Sequence, residues 1–113
     1  KAMPGIGNDI KKSGQDEVGY DKTPLKPLDS MVSGWKQIRA DLGKVKSPVL
    51  LFRSVEDHVV DPSSAQIILS SVSSTDQQEI LLHNSYHVAT LDNDAETIFE
   101  ESAKFIQRLA TSD

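Results

Sequence analysis

The sequence predicts an α/β fold, one end of a larger doubly wound, mostly parallel sheet. Two short apolar runs, Val49-Leu50-Leu51-Phe52 and Glu79-Ile80-Leu81-Leu82, lack regular polar alternation, which suits strands covered on both faces. Between them lies a stretch with apolar residues at helical spacing, so strand, helix and strand follow as in a parallel crossover unit. Helical stripes on either side of this unit carry more apolar surface than two strands can cover.

Residues 1–24 hold Pro4, Gly5, Gly7, Gly14, Gly19 and Pro24, with charged residues between them. No period of 2 or 3.6 runs through them, so the stretch reads as loop. Gly5-Ile6-Gly7 does not complete a G-x-G-x-x-G phosphate motif, because position 10 is Ile10. A helix is predicted from about Pro27 to Leu42, with Met31, Trp35, Ile38 and Leu42 on one stripe. Asp29 or Ser30 can cap its start, and Gly43 suits a left-handed stop. Trp35 reads most simply as a core anchor, with ligand contact as the alternative.

Pro48 opens the first strand. Asp61-Pro62 is predicted to start the next helix, with the Asp as cap and the Pro at the first helical position. Its stripe is Ala65, Ile68, Leu69 and Val72, and serines among residues 70–75 end it. The last helix carries Ala95, Ile98, Phe99, Ser102, Phe105, Ile106 and Leu109 on one face. Asp92, Asp94 and Glu96 near its start and Lys104 and Arg108 near its end match the helix dipole. Residues 1–27 are thus expected to form a loop region and 28–113 part of an α/β core.

At 113 residues the chain is long enough for one small domain. Its apolar content of 37% is below the roughly 45–50% usual when Gly is counted in. A net charge of −5 without a basic patch argues against a nucleic-acid or anionic-membrane partner. No apolar stretch approaches the ~20 residues of a membrane span. With no cysteine, disulfide and thiolate chemistry are excluded. The chain starts at Lys1 without a signal-peptide pattern. The true N-terminus is therefore expected to be missing; the compartment stays open, with the cytoplasm favoured. Unpaired strand edges and uncovered helix faces lead to the expectation of a missing N-terminal portion, a partner segment or an intertwined homo-oligomer.

Asp57 and His87 are the candidates to carry chemistry. They stand thirty residues apart, each just past the carboxyl end of its predicted strand, where parallel sheets gather their functional groups. An acid there can accept a hydrogen bond from one imidazole nitrogen while the other nitrogen takes a proton from a nucleophile. Glu56 is the rival acid. Asp61 is better used as a helix cap, and His58 reads as a solvated loop residue. His83 and His87 have the spacing of a helical metal pair, but Asn84-Ser85-Tyr86 between them reads as a turn. A phosphoacceptor role for Asp57 is a further alternative, disfavoured because no Lys stands just past the final strand.

From Ser47 to Ile106 the sequence resembles the carboxyl-terminal part of an α/β-hydrolase, in the bacterial carboxylesterase and monoacylglycerol-lipase group. The matching residues are Pro48 to Leu51, then Asp57-His58-Val59-Val60, then Asp61 to Ala65, then Ser85-Tyr86-His87-Val88-Ala89-Thr90-Leu91-Asp92. Residues 1–46 fit less specifically, as the exit from the group's lid and the helix returning to the core. The resemblance implies Asp57 as triad acid and His87 as triad base, no cofactor, and a small-molecule carboxylic ester as substrate, such as a monoacylglycerol or short-chain ester. The nucleophile belongs in a G-x-S-x-G turn, and none exists here: Ser33 has Met31 where the first Gly belongs, and Ser13 follows Lys11 and Lys12. The nucleophile is therefore expected in a missing N-terminal half, and this chain alone is expected to be inactive. Two positions depart from the group: Ser54 where Gly is often found, and Tyr86 before the histidine, where it could touch substrate. A truncated, non-catalytic segment acting as a binding or assembly module is the alternative.

Overall fold

A computed structural model describes residues 1–111; the last two residues of the expected core span lie outside them. The chain runs β1 (Ala2–Pro4), β2 (Lys22–Pro24), α1 (Leu25–Asp41), a 3₁₀ turn (Leu42–Lys44), β3 (Val49–Ser54), α2 (Ser63–Ser71), β4 (Gln77–Leu82), a second 3₁₀ turn (Ala89–Leu91) and α3 (Ala95–Ala110). β3 and β4 pair in parallel, with Leu51 opposite Glu79 and Ser54 opposite Leu82. The predicted strand–helix–strand unit is present, each strand two residues longer than its apolar run. Arg53 Nε reaches Glu79 Oε1 at 2.9 Å across the two strands.

The opening segment departs from its reading as loop. β1 and β2 form an antiparallel pair, Met3 opposite Thr23, closed by bonds from Gly5 N–H to Asp21 C=O and from Leu25 N–H to Lys1 C=O. Three-residue strands are too short to show a period, which is why the pattern missed them. Glycine is needed at Gly5, where a Cβ would lie 2.5 Å from the Tyr20 carbonyl oxygen, and at Gly7, whose φ is +75°.

α1 begins at Leu25, ahead of Pro27, and neither Asp29 nor Ser30 caps it; both lie inside the helix. Pro27 is tolerated because first-turn N–H groups have no intrahelical acceptor. Gly43 is no left-handed stop either, since it sits within the 3₁₀ turn and positive φ is confined, among the described residues, to Gly7 and Gly14. α2 starts one residue later than predicted, with Pro62 at its cap. The Asp61 carboxylate still accepts the Ser63 N–H at 2.8 Å, so its helix-starting role survives in shifted form.

The serines beyond α2 fasten the crossover. Ser73 Oγ donates to Gly43 C=O at 2.7 Å and Ser74 Oγ to Ser47 C=O at 2.6 Å, pinning the exit of α2 to the entry of β3. α3 approaches β3, and its Arg108 grips Asp76, just ahead of β4, through two bonds of 2.8 and 3.1 Å. The apolar core is small: among the described residues only Ala65 and Leu82 are buried apolar side chains. Trp35 (53% exposed) and Ile38 (61%) face outward, so Trp35 anchors no core here. The radius of gyration, 16.3 Å, exceeds the ~13 Å of a compact domain near this length.

Candidate active site

Both functional loops leave the same edge of the β3–β4 pair. The strands end together at Ser54 and Leu82, and Val55 N–H still bonds to Leu82 C=O at 2.9 Å. The chains therefore separate only as they enter residues 56–60 and 83–88. Ser54 Oγ donates to Tyr86 C=O at 2.7 Å. The serine that departs from the usual glycine thus ties the tip of β3 to the histidine loop.

The structure brings Asp57 and His87 together, with His87 Nδ1 3.1 Å from Asp57 Oδ2. The other oxygen of Asp57 accepts the N–H groups of Val59 and Val60 at 2.9 and 2.8 Å. Those two amides lock the carboxylate's rotation and leave Oδ2 for the imidazole. A carboxylate only accepts, so its partner Nδ1 carries the hydrogen, and the neutral ring keeps its lone pair on Nε2. Desolvation pushes the Asp57 carboxyl up, but the Val60 amide, the His87 ring and the Val59 amide outweigh it and hold the group below its ordinary range. The pair is thus an ionised acid, 17% exposed, orienting an imidazole that is 38% exposed.

His87 stands where two clefts meet. One, of about 610 Å³, is lined by Asp57, Val60, Ile68, Leu82, His87 and Val88 among others. The second, of about 400 Å³, lies under the opening hairpin and is lined by Ile6, Tyr20, Val59, His87 and Val88. Tyr86 turns its ring edge-on to His58, with centroids 4.7 Å apart, and Lys11 Nζ sits 5.5 Å from its centre.

Three carboxylates hold this edge in ways the sequence reading did not see. Asp92, 2% exposed, accepts four backbone amides: Lys11 at 2.6 Å, Lys12 at 2.8 Å, Tyr86 at 3.0 Å and Asn93 at 2.8 Å. It is a clamp rather than a helix-dipole charge. Desolvation raises its carboxyl, and the Tyr86, Lys11, Asn93 and Lys12 amides more than reverse this. Asp94 accepts Asn84 N–H and Ser85 Oγ–H, both at 2.8 Å, fixing the turn before the histidine.

Asp9, from the stretch read as loop, meets His58 Nδ1 at 2.7 Å and accepts the N–H groups of His58 and His87 at 3.2 and 3.1 Å. His58 is therefore no merely solvated residue, although it is exposed; its bond to Asp9 raises its pKa. Glu56, the rival acid, stands 3.6 Å from His58 Nε2 and 3.9 Å from Lys11 Nζ. Only the Ser85-to-Asp92 stretch carried a sequence signal for any of the three clamps. Asp9 lies 78 residues from the amide it holds, and no local pattern encodes such a contact.

Residues 8–94 match the model of the family described as serine aminopeptidase, S33. The thermostable monoacylglycerol lipase of Bacillus sp. (strain H-257) is 42% identical over 108 residues, covering 96% of this chain and 43% of that protein. A carboxylesterase of Bacillus subtilis (strain 168) is 27% identical over 90 residues, covering 80% of this chain and 37% of its own length. The chain thus spans less than half the length of these curated relatives. A solved structure from work on LipS and LipT, two metagenome-derived lipolytic enzymes, superposes with a TM-score of 0.89 at 42% identity, over 95% of this chain and 44% of that one. The monoacylglycerol lipase of Paleococcus ferrophilus shares the fold, with a TM-score of 0.63 at 18% identity over 79% of this chain and 35% of that one.

Proposed function

The chain belongs to the serine aminopeptidase S33 family of α/β-hydrolases, and on that premise we propose that it is the carboxyl-terminal portion of a serine carboxylic ester hydrolase. Asp57 is its orienting acid and His87 its general base. The observation that carries this reading is the 3.1 Å bond between His87 Nδ1 and Asp57 Oδ2 at the shared edge of adjacent parallel strands. The names of the two curated relatives, a monoacylglycerol lipase and a carboxylesterase, favour an ester over a peptide as substrate.

The nucleophile is a serine hydroxyl supplied outside these 113 residues, because no G-x-S-x-G turn occurs within them. Its proton passes to His87 Nε2 as its oxygen bonds to the ester carbonyl carbon. The imidazolium then stands against the ionised Asp57 and returns that proton to the departing alcohol, leaving an acyl-serine. Water, deprotonated by the same Nε2, adds to the acyl carbon; the carboxylic acid leaves and the serine regains its proton.

The test is hydrolysis of a chromogenic ester by the intact protein, with an aminoacyl anilide as a parallel substrate. His87→Ala should lower kcat by roughly 10⁴-fold or more, and Asp57→Asn by a similar order. Parental ester hydrolysis by His87→Ala would instead favour a binding or assembly module, and anilide turnover exceeding ester turnover would replace the substrate class.

A further inference from the structure

Segment 9–12 lies outside the strand–helix–strand unit, yet it is bonded to both loops of the acid–base pair. Three consecutive amides of the histidine loop are taken: Tyr86 N–H by Asp92, His87 N–H by Asp9 Oδ2, and Val88 N–H by the Asp9 carbonyl at 3.1 Å. Asp92 in turn accepts the N–H groups of Lys11 and Lys12. The segment and the loop therefore hold each other from both sides.

On the acid side, the residue after Asp57 donates its N–H to the same Oδ2 of Asp9 that accepts from His87, at 3.2 and 3.1 Å. One carboxylate oxygen thus bridges the backbones of the acid loop and the base loop. The second oxygen is taken by the His58 ring at 2.7 Å, so the carboxylate cannot swing away without losing three bonds. Its side chain is 13% exposed.

We propose that Asp9 is a positioning residue for the hydrolytic reaction, a bridge that fixes the spacing of the Asp57 and His87 backbones through one shared carboxylate oxygen. This rests on the reading of Asp57 and His87 as the acid–base pair. The charge state fits a bridge: desolvation pushes the Asp9 carboxyl up, while the His58 ring and the His87 and His58 amides pull it below its ordinary value, keeping it an acceptor. Two amides of different loops converging on one anion form a rigid joint, because charge-assisted hydrogen bonds are shorter and stronger than neutral ones. The imidazole must meet a hydroxyl within a fraction of an ångström, so a loosened joint reduces turnover more than it reduces binding.

The experiment measures ester hydrolysis by the intact protein in four variants beside the parent. Asp9→Ala should lower kcat by about 10- to 100-fold, with KM within about twofold. Asp9→Asn, which keeps an acceptor oxygen for the two amides, should recover most of that loss. His58→Gln, which keeps the backbone N–H and puts a side-chain amide in place of the ring, should lose less kcat than Asp9→Ala. His87→Ala reports on the underlying reading. Should Asp9→Ala fold poorly, Asp9→Asn is compared with the parent by amide hydrogen exchange, where slow exchange at both His58 and His87 is expected. Parental kcat in Asp9→Ala, or fast exchange at either amide in Asp9→Asn, overturns the bridge while an inactive His87→Ala leaves the acid–base reading standing. An active His87→Ala overturns both.

Discussion

At the carboxyl ends of β3 and β4, carboxylates meet amides at almost every step: Asp9, Asp57, Asp92 and Asp94 together accept from both functional loops and from segment 9–12. The flanks of α1 and α3 are the opposite. Met31, Trp35 and Ile38 on one helix and Phe99 and Ile106 on the other are exposed. The edge of the sheet is built from directional bonds that close within the chain. The flanks present non-directional apolar surface, which stabilises only when something covers it. Geometry at the site and stability of the fold thus have separate origins. The acid and base can be aligned by local polar contacts while the body that carries them is thinly packed.

The largest expected effect breaks the comparison on its apolar side. Residues 1–113 produced alone should bind a hydrophobic dye and melt without a sharp transition, because only Ala65 and Leu82 are buried apolar side chains among the described residues. A steep, cooperative melt from a monomer would show that the exposed stripes are not the weak point. Next in size comes the polar side. Asp92→Ala in the intact protein strands four amides that converge on one buried carboxylate. It should cost about 3 kcal/mol or more by denaturant titration, given roughly 1–3 kcal/mol per unsatisfied buried donor and partial entry of water. A change within error would mean that the clamp is ornamental.

The smallest effect separates the signs within the edge. Asp9, Asp57 and Asp92 are held below the ordinary carboxyl value of 3.8, so what they add is present above that value and fades as pH falls below it. His58 is held above the ordinary imidazole value of 6.5. Its contribution is full below 6.5 and fades as pH rises through its folded value. Stability followed from pH 3 to 9 should therefore rise on leaving acid and ease off as pH climbs beyond 6.5, and Asp9→Asn should flatten both limbs. A profile that Asp9→Asn leaves untouched would remove His58 and Asp9 as the titrating pair.

The crossover unit was legible because Val49–Phe52 and Ile80–Leu82 are continuous apolar runs with a helical stripe between them. That pattern depends only on residue order. Asp57 and His87 were candidates from their places after those runs, and the resemblance singled them out from Glu56 and the other histidines. Asp92 appeared in the sequence as the end of the Ser85–Asp92 match and as a charge near a helix start, and its four amide bonds emerge from folding. Asp9 carried no signal, since its partners lie 49 and 78 residues away. The capping assignments at Asp29, Ser30 and Gly43 failed because Pro24 and Pro27 let α1 begin early and a 3₁₀ turn replaced the left-handed stop.

Residue order alone settled the strand–helix–strand unit and placed Asp57 and His87 after its strands, since periodicity and strand ends are local properties of the chain. Tertiary structure decided that the opening segment reaches across to hold them, that His58 is paired, and that Trp35 faces outward. Those outcomes depend on which distant groups meet, and that is fixed by the closure of the whole fold rather than by any neighbourhood in sequence.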